Sequence, residues 1–137
     1  MQAYDLYSNI EVVNALTALT IDSDTTTVGE IIDTQGYESL VFAVKSETIT
    51  DGAFAVQIFA GDEPAMGDEV VVVKDFNLAD TLLDTAISFA LTDDNTVKFI
   101  GVVSGKRYAR IKLVSTATTD GGAFSAVAIK GNKGSRS

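Results

Sequence analysis

The sequence contains no cysteine, no histidine and no tryptophan, and it has a single proline. Without cysteine there is no disulfide framework, no thiol nucleophile and no thiolate metal site. Without histidine the commonest general base and the commonest transition-metal ligand are both missing. Neither a Ser-His-Asp nor a Cys-His nucleophile system can be assembled from such a chain. Lack of tryptophan weakens a lectin-like reading, which leaves Tyr4, Tyr7, Tyr37 and Tyr108 as the aromatic platforms a glycan site would use. No GxxxxGK[ST] or GxGxxG run is present, and the glycines are spaced as turns, not as a phosphate cradle. The apolar runs fall far short of the roughly 18 residues a membrane span needs. The first residues, MQAYDLYSNIEVV, carry acids and no basic segment ahead of an apolar core, so no signal peptide is expected. These gaps point away from an enzyme, and no cofactor, catalytic residue or metal site is expected.

What remains is a chain of 137 residues, enough for one domain with a real core. The net charge is −9, unevenly spread. Residues 1–95 hold two lysines against eighteen acids, a balance of −16, while residues 96–137 hold eight basic residues against one acid, a balance of +7. Eighteen acids make a carboxylate pair of the glycosidase kind easy to find by chance, so such a pair carries no signal. Asp22-Ser23-Asp24 has the look of a calcium loop but lacks the glycine and glutamate of an EF-hand, and it reads as a turn.

Hydrophobic patterning has a period of two nearly throughout. Strands are expected over 10–19 (with a short helix as the competing reading), 28–34, 39–45, 53–60, 70–74, 86–91, 96–103, 107–115 and 123–130. Residues 77–85 read as a helical turn or a loop. Strand 39–45 is apolar on both faces, as in a strand covered on both sides or at a subunit contact. Thr50-Asp51-Gly52 and Thr119-Asp120-Gly121-Gly122 read as hairpin turns, and Gln35-Gly36 as a turn. Little helical periodicity and no βαβ spacing appear. The expected fold is all-β, a jelly-roll-like sandwich of about eight to ten short antiparallel strands. Its organisation is an N-terminal arm over 1–9, a sandwich domain over 10–130 and a flexible basic tail over 131–137.

The strand over 107–115 alternates well. Tyr108, Arg110, Lys112 and Val114 share one face, and Ala109, Ile111 and Leu113 share the other. With Lys106 and Arg107 beside it, this segment makes a basic outer face, and Lys106, Arg107, Tyr108, Arg110 and Lys112 are the candidate partner-binding residues. An acidic protein with a pI near 4.2 is a poor nucleic-acid binder, so the expected partner of this face is an acidic protein surface. No nucleic acid and no membrane is expected as a partner. A solvated strand face is the competing reading.

Three runs carry a family resemblance. IIDTQGYESLVFAV (31–44), TDDNTVKFIGVVSGKRYARIKLVST (92–116) and TDGGAFSAVAIKG (119–131) together resemble a family of small tailed-phage proteins. The shared pattern is Gln-Gly-Tyr-Glu-Ser before a strand, Gly-Lys-Arg-Tyr-x-Arg before a late strand, and a Gly-rich turn leading into an Ala/Val strand. Those features fall here at 35–39, 105–110 and 121–129, and the resemblance extends from residue 9 to 131. Members of the family are generally uncharacterised, with genes that tend to lie among phage head genes. The resemblance implies a virion structural protein, foremost a capsid decoration (cement) protein on the outer capsid surface. It would bind the major capsid protein, assemble in the host cytoplasm and form a homo-oligomer, with a trimer at local threefold positions expected from closed symmetry. The family often has a longer or proline-containing C-terminus, from which GNKGSRS departs. A head–tail connector, a tail- or fibre-associated virion protein and a glycan-binding adhesion module are the other readings.

Overall fold

The computed structural model describes residues 10–71, 75–76, 87–102 and 106–133, and over them the period-two pattern resolves into eleven strands. They are β1 (Glu11–Ile21), β2 (Thr26–Val28), β3 (Ile32–Asp33), β4 (Tyr37–Ile49), β5 (Ala53–Gly61), β6 (Val70–Val71), β7 (Asp75–Phe76), β8 (Ile87–Phe89), β9 (Val97–Val102), β10 (Tyr108–Thr116) and β11 (Gly122–Lys133). One turn of 3-10 helix, Leu91–Asp93, precedes β9. The first segment is a strand and not a helix: its β-branched residues suit a pleated surface. Of the strand expected over 28–34 only Val28, the last residue of β2, and β3 are in strand, and β2 begins earlier, at Thr26. β11 runs on through Gly131, Asn132 and Lys133, into the segment expected to be tail. The expected arm 1–9, the loop or helical turn over 77–85, part of the expected strand over 70–74 and the end of the expected tail lie outside the described residues.

The strands form two antiparallel sheets, one in the order β1-β11-β4-β9-β7 and the other β2-β10-β5-β6, with β3 also on β10 and β8 also on β5. The pairing is nested: β1 with β11, β2 and β3 with β10, β4 with β9, and β5 with β6 and β8. That nesting is a long hairpin rolled up so that successive pairs alternate between sheets, which is a jelly roll. Two expected hairpins are therefore corrected. Asp51-Gly52 and Asp120-Gly121 do reverse the chain, but each carries it from one sheet to the other, β4 to β5 and β10 to β11. A turn signal reports a change of direction and says nothing of which sheet receives the next strand.

The inner faces meet in one core. Phe42, Val44, Ile100, Phe124 and Ala128 come from the five-stranded sheet, and Phe54, Val56, Ile58, Ile111 and Leu113 from the other, all essentially inaccessible. Phe124 contacts Phe54 across the gap with ring centroids 4.5 Å apart, and meets Phe89 edge-on at 5.4 Å. Such tilted and edge-on contacts suit the aromatic quadrupole.

One side of the sandwich closes on itself. β1 shifts register between Asn14 and Leu16, and the Ala15 carbonyl there accepts from the Glu30 amide at 2.7 Å. The neighbouring Gly29 amide donates to the Ile111 carbonyl. A Cβ on Gly29 would stand 2.5 Å from the Ala15 oxygen, so the approach requires glycine. The division between β2 and β3 is thus the place where the chain bonds to both sheets. At one end, Asp51 ties the two sheet-to-sheet connections together. Its carboxylate accepts from the amides of Thr119, Asp120 and Gly121, and the Thr50 amide donates to the Gly121 carbonyl. These amides hold the Asp51 carboxyl below its ordinary value, Thr119 contributing most. Gly121 has φ +72°, and a Cβ there would overlap the Ile21 oxygen at 1.7 Å. Replacing it combines a strained φ with a steric clash. Gly121→Ala is expected to lower the unfolding free energy by about 2 kcal/mol or more, measured by urea denaturation.

Candidate functional site

β10 lies between β2 and β5, and its alternation sends Ala109, Ile111 and Leu113 into the core, as the pattern requires. Arg110 and Lys112 therefore point outward from the six-stranded sheet. They do not form a free basic face. Glu69, which ends the loop after β5, receives both: Arg110 Nε and Nη2 donate to its Oε1 at 3.0 and 2.7 Å, and Lys112 Nζ donates to its Oε2 at 2.6 Å. All three side chains are about four-fifths covered, at 20%, 18% and 19% exposure. Lys112 Nζ also sits 4.1 Å above the Phe59 ring, a cation–π contact. Hydrogen bonds from Lys112 first, then Arg110, hold the Glu69 carboxyl below its usual value.

The other two cations are also matched. Arg107 makes a fork-to-fork pair with Asp33 of β3, Nε to Oδ1 and Nη2 to Oδ2, both at 2.8 Å. This two-bond geometry is the strongest form of Arg–carboxylate contact. Its hydrogen bonds lower the Asp33 carboxyl to about 2. Lys106 Nζ reaches Asp62 Oδ2 at 3.2 Å. Asp62 opens a loop that Asp68 organises, accepting from the amides of Asp62 and Glu63 and lowering its own carboxyl in doing so. Buried Met66 anchors that loop from within.

The structure thus brings Lys106, Arg107, Tyr108, Arg110 and Lys112 onto one strand and its lead-in, and adds the acids that sequence reading did not assign to them. Among the described residues, six cations from the C-terminal segment meet five of the acids before it, and the rest of the acids keep the surface negative. Elsewhere Lys98 pairs with Asp93, and Lys130 with Glu11. Tyr108 is buried, with the Arg107 guanidinium 4.9 Å from its ring centroid. Tyr37 is half-buried, and Lys130 Nζ stands 5.1 Å from its ring centroid. Tyr4 and Tyr7 lie outside the described residues. Asp24 lies exposed in the bend after β1, as the turn reading expects, and its Oδ1 accepts from the Thr118 amide and hydroxyl. Among the described residues no group of three or more acids converges as a metal ion would require.

The sequence matches no protein-family model and no curated protein. Its fold, however, is shared. The crystal structure of the SPBc2 prophage-derived protein YomS superposes with a TM-score of 0.55 at 18% identity, covering 89% of this chain and 92% of that one. A structure of infectious bursal disease virus, Gx strain, superposes with a TM-score of 0.50 at 12% identity, over 92% of this chain and 33% of the viral one. At such identities the likeness is one of fold.

Two outcomes test the site's electrostatics. Asp33 is depressed in the folded state to about 2, against roughly 3.9 when unfolded. Its contribution to stability is therefore fully present above about pH 4 and is lost as pH falls toward about 2. Carboxyl-carbon NMR should show Asp33 titrating near 2 in the native protein and markedly higher in Arg107→Gln. Glu69→Gln removes the counter-charge of two largely covered cations, and should cost about 1–3 kcal/mol in denaturant unfolding.

Proposed function

We propose that this protein is a structural component of a tailed-phage virion, and within the virion a decoration protein bound to the outside of the head. The observation that carries the reading is the fold match to a prophage-derived protein over nine-tenths of both chains. The likeness to a virus structure over most of this chain supports a jelly roll put to structural use in a particle. The motif resemblance to small tailed-phage proteins at 35–39, 105–110 and 121–129 points the same way.

The physical character of the molecule suits that role. A decoration protein acts by holding its neighbours, so it needs a stiff body and no reacting group. Crossing connections laced by Asp51, a side closed through Ala15 and Gly29, and an aromatic core spanning both sheets supply the stiffness. The partner is the major capsid protein. The β10 region meets it with Lys106, Arg107, Arg110 and Lys112 held in fixed positions by Asp62, Asp33 and Glu69. A surface of matched pairs recognises a complementary mosaic of charges, and offers no continuous positive field to a polyanion such as nucleic acid.

Quantitative mass spectrometry of purified virions is the direct test. Many copies per particle, with density on the head exterior by electron microscopy, are expected. A handful of copies confined to the neck or tail overturns the decoration reading, and absence from the particle overturns the virion reading.

A further inference from the structure

We propose that the outer face of the five-stranded sheet is a self-association surface, on which two copies of this chain pack face to face about a two-fold axis. This goes beyond the virion reading and does not depend on it.

The register sets the face out in rows. One row crosses the sheet through Val12, Ile129, Val41 and Gly101, each paired to the next. The next runs through Val127, Ala43 and Phe99. Val97 stands in a third row beside Lys45. Six large apolar side chains are exposed among the described residues, and four of them, Val12, Val97, Phe99 and Val127, lie on this one face at 37–53% exposure. Four strands about 4.8 Å apart and three same-face rows give an apolar area of roughly 400 Å². That is about half of what each partner contributes to a standard interface of roughly 800 Å², the rest coming from a polar rim. Asn14 at the end of the second row, Ser125 and Lys45 in the third, and Glu47 beside Lys45 supply such a rim.

Charge selects a second copy as the occupant. Each chain carries −9, so two copies repel through most approaches. Within these three rows the one charged side chain is Lys45, already matched by Glu47 at 3.3 Å. A neutral apolar face turned on itself avoids the repulsion and leaves no charge unpaired. Among the described residues, the β1 and β2–β3 edges offer no good competing route. β1 has two register shifts against β11, and the β2–β3 side is closed by the Ala15–Glu30 bond. Broken and covered edges resist strand addition. Two twisted sheets of the same hand pack well face to face, about 10 Å apart. An isologous contact of this kind closes at two copies, not at the three expected from the sequence.

Light scattering on the eluting full-length chain tests this at about 100 µM, a concentration that captures even the weak end for interfaces of this size. The wild type should show twice the 14.4 kDa chain mass. Phe99→Glu and Val127→Glu should each raise the dissociation constant about 30-fold or more and elute as monomers. Val28→Glu, at an equally exposed position on the outer face of the other sheet, should remain dimeric. Circular dichroism and thermal melting confirm that each variant is folded, and Val12→Glu at the edge of the face replaces either one that is not. A monomeric or trimeric wild type overturns the proposal, as does a folded Phe99→Glu or Val127→Glu that keeps the wild-type mass. A monomer would assign the face to another protein or to this chain's own first nine residues.

Discussion

Almost every connection in this chain carries it from one sheet to the other. Among the described strands, only β2 to β3 and β5 to β6 stay within a sheet. No strand of the five-stranded sheet is therefore paired with its neighbour in sequence, and the core forms only when distant segments meet. β1 and β11, near opposite ends of the described chain, run side by side from Glu11↔Lys130 to Ile21↔Gly122. Such a topology postpones its hydrophobic gain until large loops have closed, which makes folding intrinsically slow. It also gathers the crossings at the ends of the sandwich, where backbone amides would be left without partners unless something met them. Asp51 meets three, Asp24 meets the Thr118 amide, and buried Ser115 accepts from the Thr25 amide. Ser46 plays the same part at β9, accepting from the Thr96 amide. These short polar side chains are what let the rolled hairpin close.

The two outer faces follow different rules. On the six-stranded sheet, cations of β10 and its lead-in are matched by acids delivered from loops and from β3. On the five-stranded sheet, the outer positions of β4, β9 and β11 are largely apolar and only partly covered. One face has its charges neutralised inside the chain, and the other has few to neutralise. The contrast comes from what each strand lies beside, since β10 borders the acidic loop after β5 while β4 sits between β11 and β9.

Much of the fold was legible in the residues. Period-two alternation located β4, β5, β10 and β11, and it assigned the faces of β10 correctly from Ala109 to Val114 because inward and outward positions follow from backbone geometry, whereas Tyr108, expected on the outer face, is buried. It also marked 39–45 as apolar on both sides. It did not predict that β1 would bulge at Ala15, or that the run over 28–34 would leave the sheet around Gly29 and Glu30, because both depend on a contact between Ala15 and Glu30 that no local pattern encodes. The hairpin readings failed for a related reason. Asp-Gly fixes a reversal through local dihedral preference, whereas the choice of sheet depends on which surface is left to cover.

The sequence by itself determined that the chain is all-β, that its core is built from alternating Phe, Ile, Val and Leu, and that its basic residues cluster late. Those properties rest on side-chain period and composition, which need no knowledge of the partner strand. Tertiary structure alone decided what the basic cluster became. Asp33 lies 74 residues from Arg107, and Glu69 lies 41 from Arg110. Ion pairing is a matter of a few ångströms in space, and at such separations along the chain only the folded sandwich sets that distance. The same holds for the apolar rows of the five-stranded sheet, whose members are scattered from Val12 to Ile129 and become one surface only through the register of four strands.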